Sequence, residues 1–552
     1  MRAASQPEGH TMTVSADPRF EDQVRAYHEA GYWDRTTLVT AIDQWAEVDP
    51  GHPYISDGTS TYSYGEFRRS AWNLAGGIVG LGVRPGDRVV VQLPNWNEFF
   101  LVYAALARIG AVMVPVVSVY REHEVQFIVE NSEAVGLVTA GQFRGFDHAA
   151  MGAKIAAAVP SVSFHVTVRA DNGDGRVDLA ALLGASHDTT ALPPVPAADD
   201  PHLILYSSGT ESRPKGCLHT WNTAAFLPKQ AVPVLSMTRS DVMFVPSPVA
   251  HTLGLTLGVM APTIAGAQAH LLDVFSPSGA LERIDAYKCT GTASPAPFIR
   301  MLLDSYDPGV HDVSRLRFWL TAGAAIPASL VQETQARLSG CRVVSAYGSS
   351  EIMMATVCRP EDSVERVATS DGAPVPGVEL RIVDFDEREA APGTDGEIRY
   401  RGPGRMLEYW GRPELTVEGQ DSEGWWRTGD LGRIDEHGYL RVTGRIKDII
   451  IRGGFNISAR EVEEALLLHP AVADIAVVGL PDDAVGERAC AVVVARDDTR
   501  LTVDDLRRHL ADEHKIAVWK VPERVEYVDE FPRTATGKIQ KFALRAKYGD
   551  RA

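Results

Sequence analysis

The stretch 87–115 constrains the fold more than any other part of this chain. A short β-branched run, Arg88-Val89-Val90-Val91-Gln92, leads into LPNWNEFFLVYAALARIG, and a second strand-like run, Ala111-Val112-Met113-Val114, follows. Two short apolar runs joined by one helix form a crossover connection, which lays the strands side by side and parallel. The fold class this predicts is α/β, with a largely parallel sheet. At 552 residues the chain exceeds what a single hydrophobic core organises, so several structural units are expected around that sheet.

Further along, a Pro/Ala/Asp-rich stretch at 192–201 reads as a surface connection before the apolar strand Leu203-Ile204-Leu205-Tyr206. Residues 396–401, GEIRYR, alternate like a half-exposed strand, and the turn-rich run to Val442 predicts a small β-rich subdomain at about residues 371–443. From Ser458 the pattern turns helical: Ser458 and Glu461 have capping-box spacing, and Val462, Ala465 and Leu466 share one face. A small α+β unit of about a hundred residues closes the chain. The expected organisation is a flexible lead over 1–16, a large N-terminal domain of stacked αβ sheets over 17–443, and a C-terminal domain over 448–552.

Composition excludes several function classes. A formal net charge of −18 does not supply the dense basic surface a nucleic-acid binder needs. Cys217, Cys289, Cys341, Cys358 and Cys490 form no CxxC pair and are odd in number, which points away from a zinc site or a disulfide framework and toward a reducing cytoplasm. The N-terminal residues lack the apolar core of a signal peptide, with Met12 an alternative start. The apolar run 253–272 is interrupted by three glycines, Pro262, Gln268 and His270, so it reads as buried core rather than a membrane insertion.

Four stretches carry chemistry. YSSGTESRPKG (206–216) is a hydroxyl- and glycine-rich loop directly after a buried strand, ending on Lys215. Hydroxyls and free N–H groups ring phosphate oxygens, and a lysine adds a mobile charge. The Walker pattern does not fit, because Gly216 follows Lys215. SAYGSSE (345–351), with TAGAAIP (321–327) before it, offers small residues for a flat base, Tyr347 to stack on it, and Glu351 as a hard oxygen for Mg²⁺. GWWRTGDLG (424–432) and GRIKD (444–448) offer Asp430 and Arg445, placed here on nearby loops, to a ribose. PRTATGKIQK (532–541) carries Lys538 on a Gly/Thr turn, where its charge stabilises a developing phosphorane. Taken singly, each stretch also reads as an ordinary turn or a solvated surface charge.

The order and spacing of these stretches resemble the acyl-adenylate-forming superfamily of acyl- and aryl-CoA synthetases, peptide-synthetase adenylation domains and beetle luciferases, over essentially the whole chain from about Tyr32. Further matches are Pro248-Val249-Ala250-His251, Arg452-Gly453-Gly454-Phe455-Asn456-Ile457, and Leu480-Pro481-Asp482 with Gly486-Glu487. Within the superfamily the chain looks closest to short- and medium-chain acyl-CoA and cyclohexanecarboxylate-CoA ligases, with an aryl-acid-ligase likeness at Ala30-Gly31-Tyr32-Trp33.

The resemblance implies ATP-dependent activation of a carboxylic acid as acyl-AMP and transfer to coenzyme A, with Mg²⁺. It assigns Lys538 and His251 to catalysis. Ser207, Ser208, Gly209, Thr210 and Lys215 are assigned to the ATP phosphates; Gly323, Ala324, Ala325, Tyr347, Gly348, Ser350, Asp430 and Arg445 to adenine and ribose; and Glu351 to the metal. His251, Thr252, Gly323, Gly348 and Met354 line the acid pocket, while Gly453, Gly454 and Phe455 line the acceptor tunnel. Lys447, in a 444–447 hinge, is where a mobile C-terminal domain turns, presenting first Lys538 and then Gly453-Gly454. Ser207, Glu211, Ser212 and Phe455 depart from the pattern, the last beside the acceptor tunnel. The implied partners are a compact aliphatic, alicyclic or aryl acid, ATP and CoA, with no nucleic acid; a homodimer is left open. No carboxylate stands where amino-acid-activating relatives hold the α-amine. The alternatives are an adenylate-forming enzyme with another acceptor (an amine, a carrier-protein thiol or an inorganic anion such as nitrite), a nucleotide-sensing scaffold, and a luciferase-like oxygenase.

Overall fold

The computed structural model describes residues 18–170, 176–207, 214–322, 326–338, 340–359, 361–534 and 538–549. The 1–16 lead lies outside them. Strand Arg88–Gln92, helix Asn97–Ile109 and strand Val112–Pro115 form the crossover, and the two strands pair in parallel, Val89 opposite Met113. They occupy the middle of an eight-stranded sheet, which continues through Gly136–Ala140 and Phe164–Val168 on one side and through Pro201–Tyr206 and Gly216–Thr220 on the other. A nine-stranded sheet runs from Ala373–Pro374 through Arg342–Tyr347 and Phe318–Ala322 to Pro53–Ser56 and Thr61–Ser63. Both sheets are parallel at their centres; the nine-stranded sheet turns antiparallel at both margins, the eight-stranded one only at the Gly216–Thr220 side.

The crossover helix shows why the sheets stack. All but two of its residues, Glu98 and Arg108, are buried, so it has no solvent face. A helix apolar all round must be enclosed. The loop before it makes the link: buried Asn95 donates to the carbonyls of Val245, Ser247 and Leu272, at 3.1, 2.9 and 3.0 Å, and accepts from Val249 N–H at 2.9 Å. One amide thereby ties the first sheet's crossover to the strand ends of the second. The apolar run 253–272 is buried as expected, forming a π-helical turn Gly254–Met260, the helix Ala261–Ala265 and the strand Gln268–Leu271. Among the described residues no helix is long and apolar enough to cross a membrane. All five cysteines are buried and free.

Beyond the two large sheets, the strands Glu379–Val383, Gly396–Arg401, Trp426–Ile434 and Leu440–Arg445 form an antiparallel four-stranded sheet. The 396–401 strand is less exposed than its alternation suggests. Arg399 is 1% exposed, and its guanidinium meets Glu387, Glu397 and Asp421 at 2.9, 2.8 and 2.9 Å. A buried cation is tolerated only when paired in this way. A separate five-stranded sheet (Phe455–Ser458, Ile449–Arg452, Gly486–Ala495, Val472–Asp482 and Arg524–Tyr527) forms the C-terminal unit. The helix Ala459–Leu466 packs on it through Val462, Ala465 and Leu466. The expected capping box is half made: Ser458 accepts from Glu461 N–H at 3.3 Å, but the Glu461 carboxylate turns to Lys520 instead of back to Ser458.

Candidate active site

The hairpin Pro201–Tyr206/Gly216–Thr220 carries the hydroxyl-rich loop. Ser207 N–H donates to Lys215 O at 2.9 Å and closes its base, and Tyr206 OH donates to Asn131 Oδ1 at 2.6 Å. Gly216 is required by close approach, since a Cβ there would lie 2.8 Å from Ile204 Cγ2 and 3.1 Å from the Tyr206 ring. Ser208, Gly209, Thr210 and Glu211 to Arg213 lie outside the described residues, as do Gly323, Ala324 and Ala325. At the end of the loop, the Lys215 ammonium sits 5.4 Å from the centre of the Tyr409 ring, and Tyr409 OH donates to Glu351 Oε1 at 2.9 Å. One tyrosine therefore links the predicted phosphate lysine to the predicted metal carboxylate.

Strand Arg342–Tyr347 ends at the next group. A Cβ on Gly348 would fall 1.7 Å from Met353 O, so the 348–354 loop folds back over this residue and admits no side chain. Met353 itself takes φ +54, and Met354 is buried beside it. Tyr347 OH donates to Asp430 Oδ2 at 2.8 Å, and Asp430 Oδ1 meets Arg445 Nε at 2.9 Å. Asp430 and Arg445 are not on loops, as the sequence suggested. They are directly paired residues on antiparallel strands, and register rather than turn geometry brings them together. Asp430 raises the Arg445 pKa further, and burial pushes the Tyr347 phenol well up, so it stays a neutral donor.

Ser350 Oγ and Thr252 Oγ1 lie 3.0 Å apart at the mouth of the π-helical turn. His219, fully buried, fixes the carbonyl beside them: its Nε2 donates to Ser350 O at 2.7 Å, which leaves Nδ1 to accept from Thr223 OH at 3.0 Å. Burial, reinforced by the charge of Lys538, lowers the His251 pKa to about 4 and keeps the ring neutral.

Lys538 arrives from the far end of the chain. A short turn presents it: Thr534 N–H donates to Lys538 O at 2.8 Å, Lys538 N–H donates back to Thr534 Oγ1 at 3.1 Å, and Arg533 bridges Ile539. Its side chain is exposed, and the charges of Arg445, Asp430, Glu351 and Lys447 all act on its ammonium. Desolvation, then the Arg445 charge, draw its pKa down to about 8 against the pull of Asp430 and Glu351.

The remaining predicted residues lie elsewhere. Lys447 sits in a one-turn 3₁₀ segment, Ile446–Asp448, and its carbonyl accepts from Arg545 at 3.2 Å. Gly453 and Gly454 (φ +56 and +83) form the two-residue turn joining Arg452 to its cross-strand partner Phe455. Nothing lies within 4 Å of a Cβ built on either glycine. Phe455 is 60% exposed, its ring 5.2 Å from that of Trp519. Sequence reasoning missed Asn131, His219 and Tyr409. The only signal was that Cys217-Leu218-His219 continues the buried strand after Lys215, which aims a polar side chain inward.

A family model described as AMP-binding enzyme matches residues 42–410, and its companion, AMP-binding enzyme C-terminal domain, matches residues 461–538. The chain belongs to the AMP-binding enzyme family. It is 35% identical over 531 residues to a medium-chain fatty-acid–CoA ligase of Escherichia coli K12, covering 95% of this chain and 93% of that one. It is also 35% identical over 521 residues to a 3-[(3aS,4S,7aS)-7a-methyl-1,5-dioxo-octahydro-1H-inden-4-yl]propanoyl:CoA ligase of Mycobacterium tuberculosis H37Rv, with 93% and 99% covered. Among solved structures, ATP-bound MatB from Rhodopseudomonas palustris superimposes with a TM-score of 0.83 at 28% identity, over 94% of this chain and 100% of that one. This AMP-binding enzyme is an adenylate-forming, acid-activating enzyme with the α/β architecture of that superfamily.

Proposed function

We propose that this enzyme converts a small or medium carboxylic acid (aliphatic, alicyclic or aryl) and ATP into acyl-AMP, and then transfers the acyl group to coenzyme A. What supports the first step is that the charges of Asp430, Arg445 and Glu351 act together on Lys538. A cation in that field meets ribose and α-phosphate together, and its charge offsets the negative charge that grows as the acid's carboxylate attacks phosphorus. Asp430 and Arg445 take the ribose hydroxyls, Tyr347 and the small residues beside it take the base, and Ser207 through Thr210 with Lys215 hold the leaving phosphates.

Glu351 fits a divalent cation by its donor chemistry. Tyr409 occupies Oε1, which leaves Oε2 as a single hard oxygen, and Mg²⁺ typically takes one or two carboxylates and fills its other positions with phosphate and water. Bound there, Mg²⁺ would neutralise phosphate charge. Thr252, Gly348 and Met354 border the acid, and neutral His251 supplies a donor that does not titrate near neutral pH.

The second step is thiol attack on the acyl carbonyl with expulsion of AMP. In our reading the C-terminal domain, 448–552, turns about 444–447 at Lys447 and exchanges the Lys538 turn for the Gly453-Gly454 turn. Open space beside both glycines and the packing of Phe455 against Trp519 favour a narrow pantetheine arm there. Two relatives named as CoA ligases point the same way. The test is an acid-library screen for pyrophosphate release with and without CoA, with products read by mass spectrometry. One CoA consumed per AMP is the expected result; AMP formed with CoA untouched would transfer the second step to an amine, a carrier-protein thiol or an inorganic anion.

A further inference from the structure

We propose that the C-terminal unit holds a site for a borderline transition-metal ion, of the Zn²⁺, Co²⁺ or Ni²⁺ class, built from His509, Glu513 and His514. The potential ligand atoms of these three side chains all lie within 4.8 Å of one another. The backbone explains the grouping. Residues 508–513 form a π-helical turn, with His514 N–H donating to His509 O at 3.1 Å. In an α-helix, residues five apart point about 140° away from each other. The wider turn instead sets His514 over His509, ring centres 4.5 Å apart, with Glu513 alongside. Lys515, at φ +58, ends the segment immediately afterwards.

The buried member is already oriented as a metal ligand. His509 Nε2 lies 3.0 Å from Ala465 O, and a carbonyl only accepts, so Nε2 carries the proton. Nδ1 faces Glu513 Oε2 at 2.9 Å. With Nε2 engaged on the carbonyl, Nδ1 is the nitrogen turned to the carboxylate, the side on which an ion would be held. A ring N–H anchored on a backbone carbonyl fixes the tautomer and ring direction of metal-binding histidines and leaves the other nitrogen as the ligand atom. Glu513 and His514 are both exposed, so an ion reaches them from solvent and their side chains can rotate inward to shorten the separations. His469, its ring 4.9 Å from His509, forms a further wall, and the neighbouring Arg508 is offset by Asp505 at 3.4 Å. Two imidazoles and one carboxylate select nitrogen-seeking ions over Mg²⁺.

The test uses the untagged, EDTA-treated full chain without nucleotide. Titration with Co²⁺ is expected to give a visible ligand-field spectrum that saturates at a single ion per chain, survives millimolar Mg²⁺ and is displaced by Zn²⁺. Glu513→Gln and His514→Ala, both at exposed positions, are expected to weaken Zn²⁺ binding roughly tenfold or more, and His514→Ala to do so with metal-free thermal unfolding unchanged. Absence of a saturable spectrum, or equal Zn²⁺ affinity in wild type and both variants, would overturn the site. Either result would leave the His509–Glu513 contact as a hydrogen bond and nothing more.

Discussion

Two tight turns of the C-terminal region invite comparison, because each carries a stretch that sequence alone marked as functional. The Gly453-Gly454 turn is defined by its own backbone: both residues take φ > 0 and the space around them is open. The turn closed by Thr534 and Lys538 is defined by its surroundings, since the charges of Arg445, Asp430, Glu351 and Lys447, from elsewhere in the chain, act on Lys538. A glycine pair acts through what it leaves out, a lysine through the field it enters. Substitutions should therefore damage the first by strain and filling, and the second by removal of charge.

The strongest test of that contrast is Lys538→Ala. Loss of one preorganised charge is expected to lower adenylation by about a hundredfold or more, read as pyrophosphate release, with a far smaller effect on thioester formation from supplied acyl-adenylate. Equal losses in both half-reactions would remove the distinction between the turns. Next in size is Gly454→Trp, where a left-handed residue with a Cβ costs about 1–2 kcal/mol and the indole fills the open space. The strain is expected to show in stability, while the indole in the space proposed for the acceptor lowers thioester formation about tenfold or more and leaves pyrophosphate release near wild type.

A subtler sharpening comes from pH. The Lys538 pKa is lowered from 10.5 to about 8. In nucleotide-free enzyme, inactivation by an amine-acylating reagent is expected to rise with a midpoint near pH 8, and a midpoint near that of a free lysine would show that its surroundings do not act on it. The stability sign follows from the same shift. Between about pH 8 and 10.5 the unfolded chain keeps a proton the folded chain has released, so this group's contribution to stability improves as pH rises through that window. The smallest expected effect is that of Ser458→Ala, which removes the N-cap of the helix after the glycine turn and a 2.9 Å bond to Thr443 O. A loss of about 1 kcal/mol is expected, visible as faster amide exchange in Ala459–Leu466.

Local readings succeeded where the chain interacts with its neighbours in sequence. The 87–115 crossover, the Ser458 cap and the Val462, Ala465 and Leu466 face all appear in the structure. They failed where a partner came from far away. Glu461 has the spacing to cap Ser458 but is taken by Lys520, 59 positions on. Arg399 looked like the exposed phase of a strand, yet three carboxylates pair with it in the interior.

By itself, the sequence determined the periodicities, the turn chemistry and the order of the chemical stretches, because each depends on neighbouring residues: β-branched runs make strands, an all-apolar helix must be enclosed, and a Gly-Gly pair permits a turn with two positive φ angles. Only the tertiary structure decided which of those stretches meet. Asp430 faces Arg445 because two antiparallel strands pair in one register, Tyr347 reaches Asp430 from a different sheet, and the charges of Asp430 and Arg445 act on Lys538, nearly a hundred residues beyond Arg445. Charges act through space rather than along the chain, so their effect depends on distances that folding alone sets.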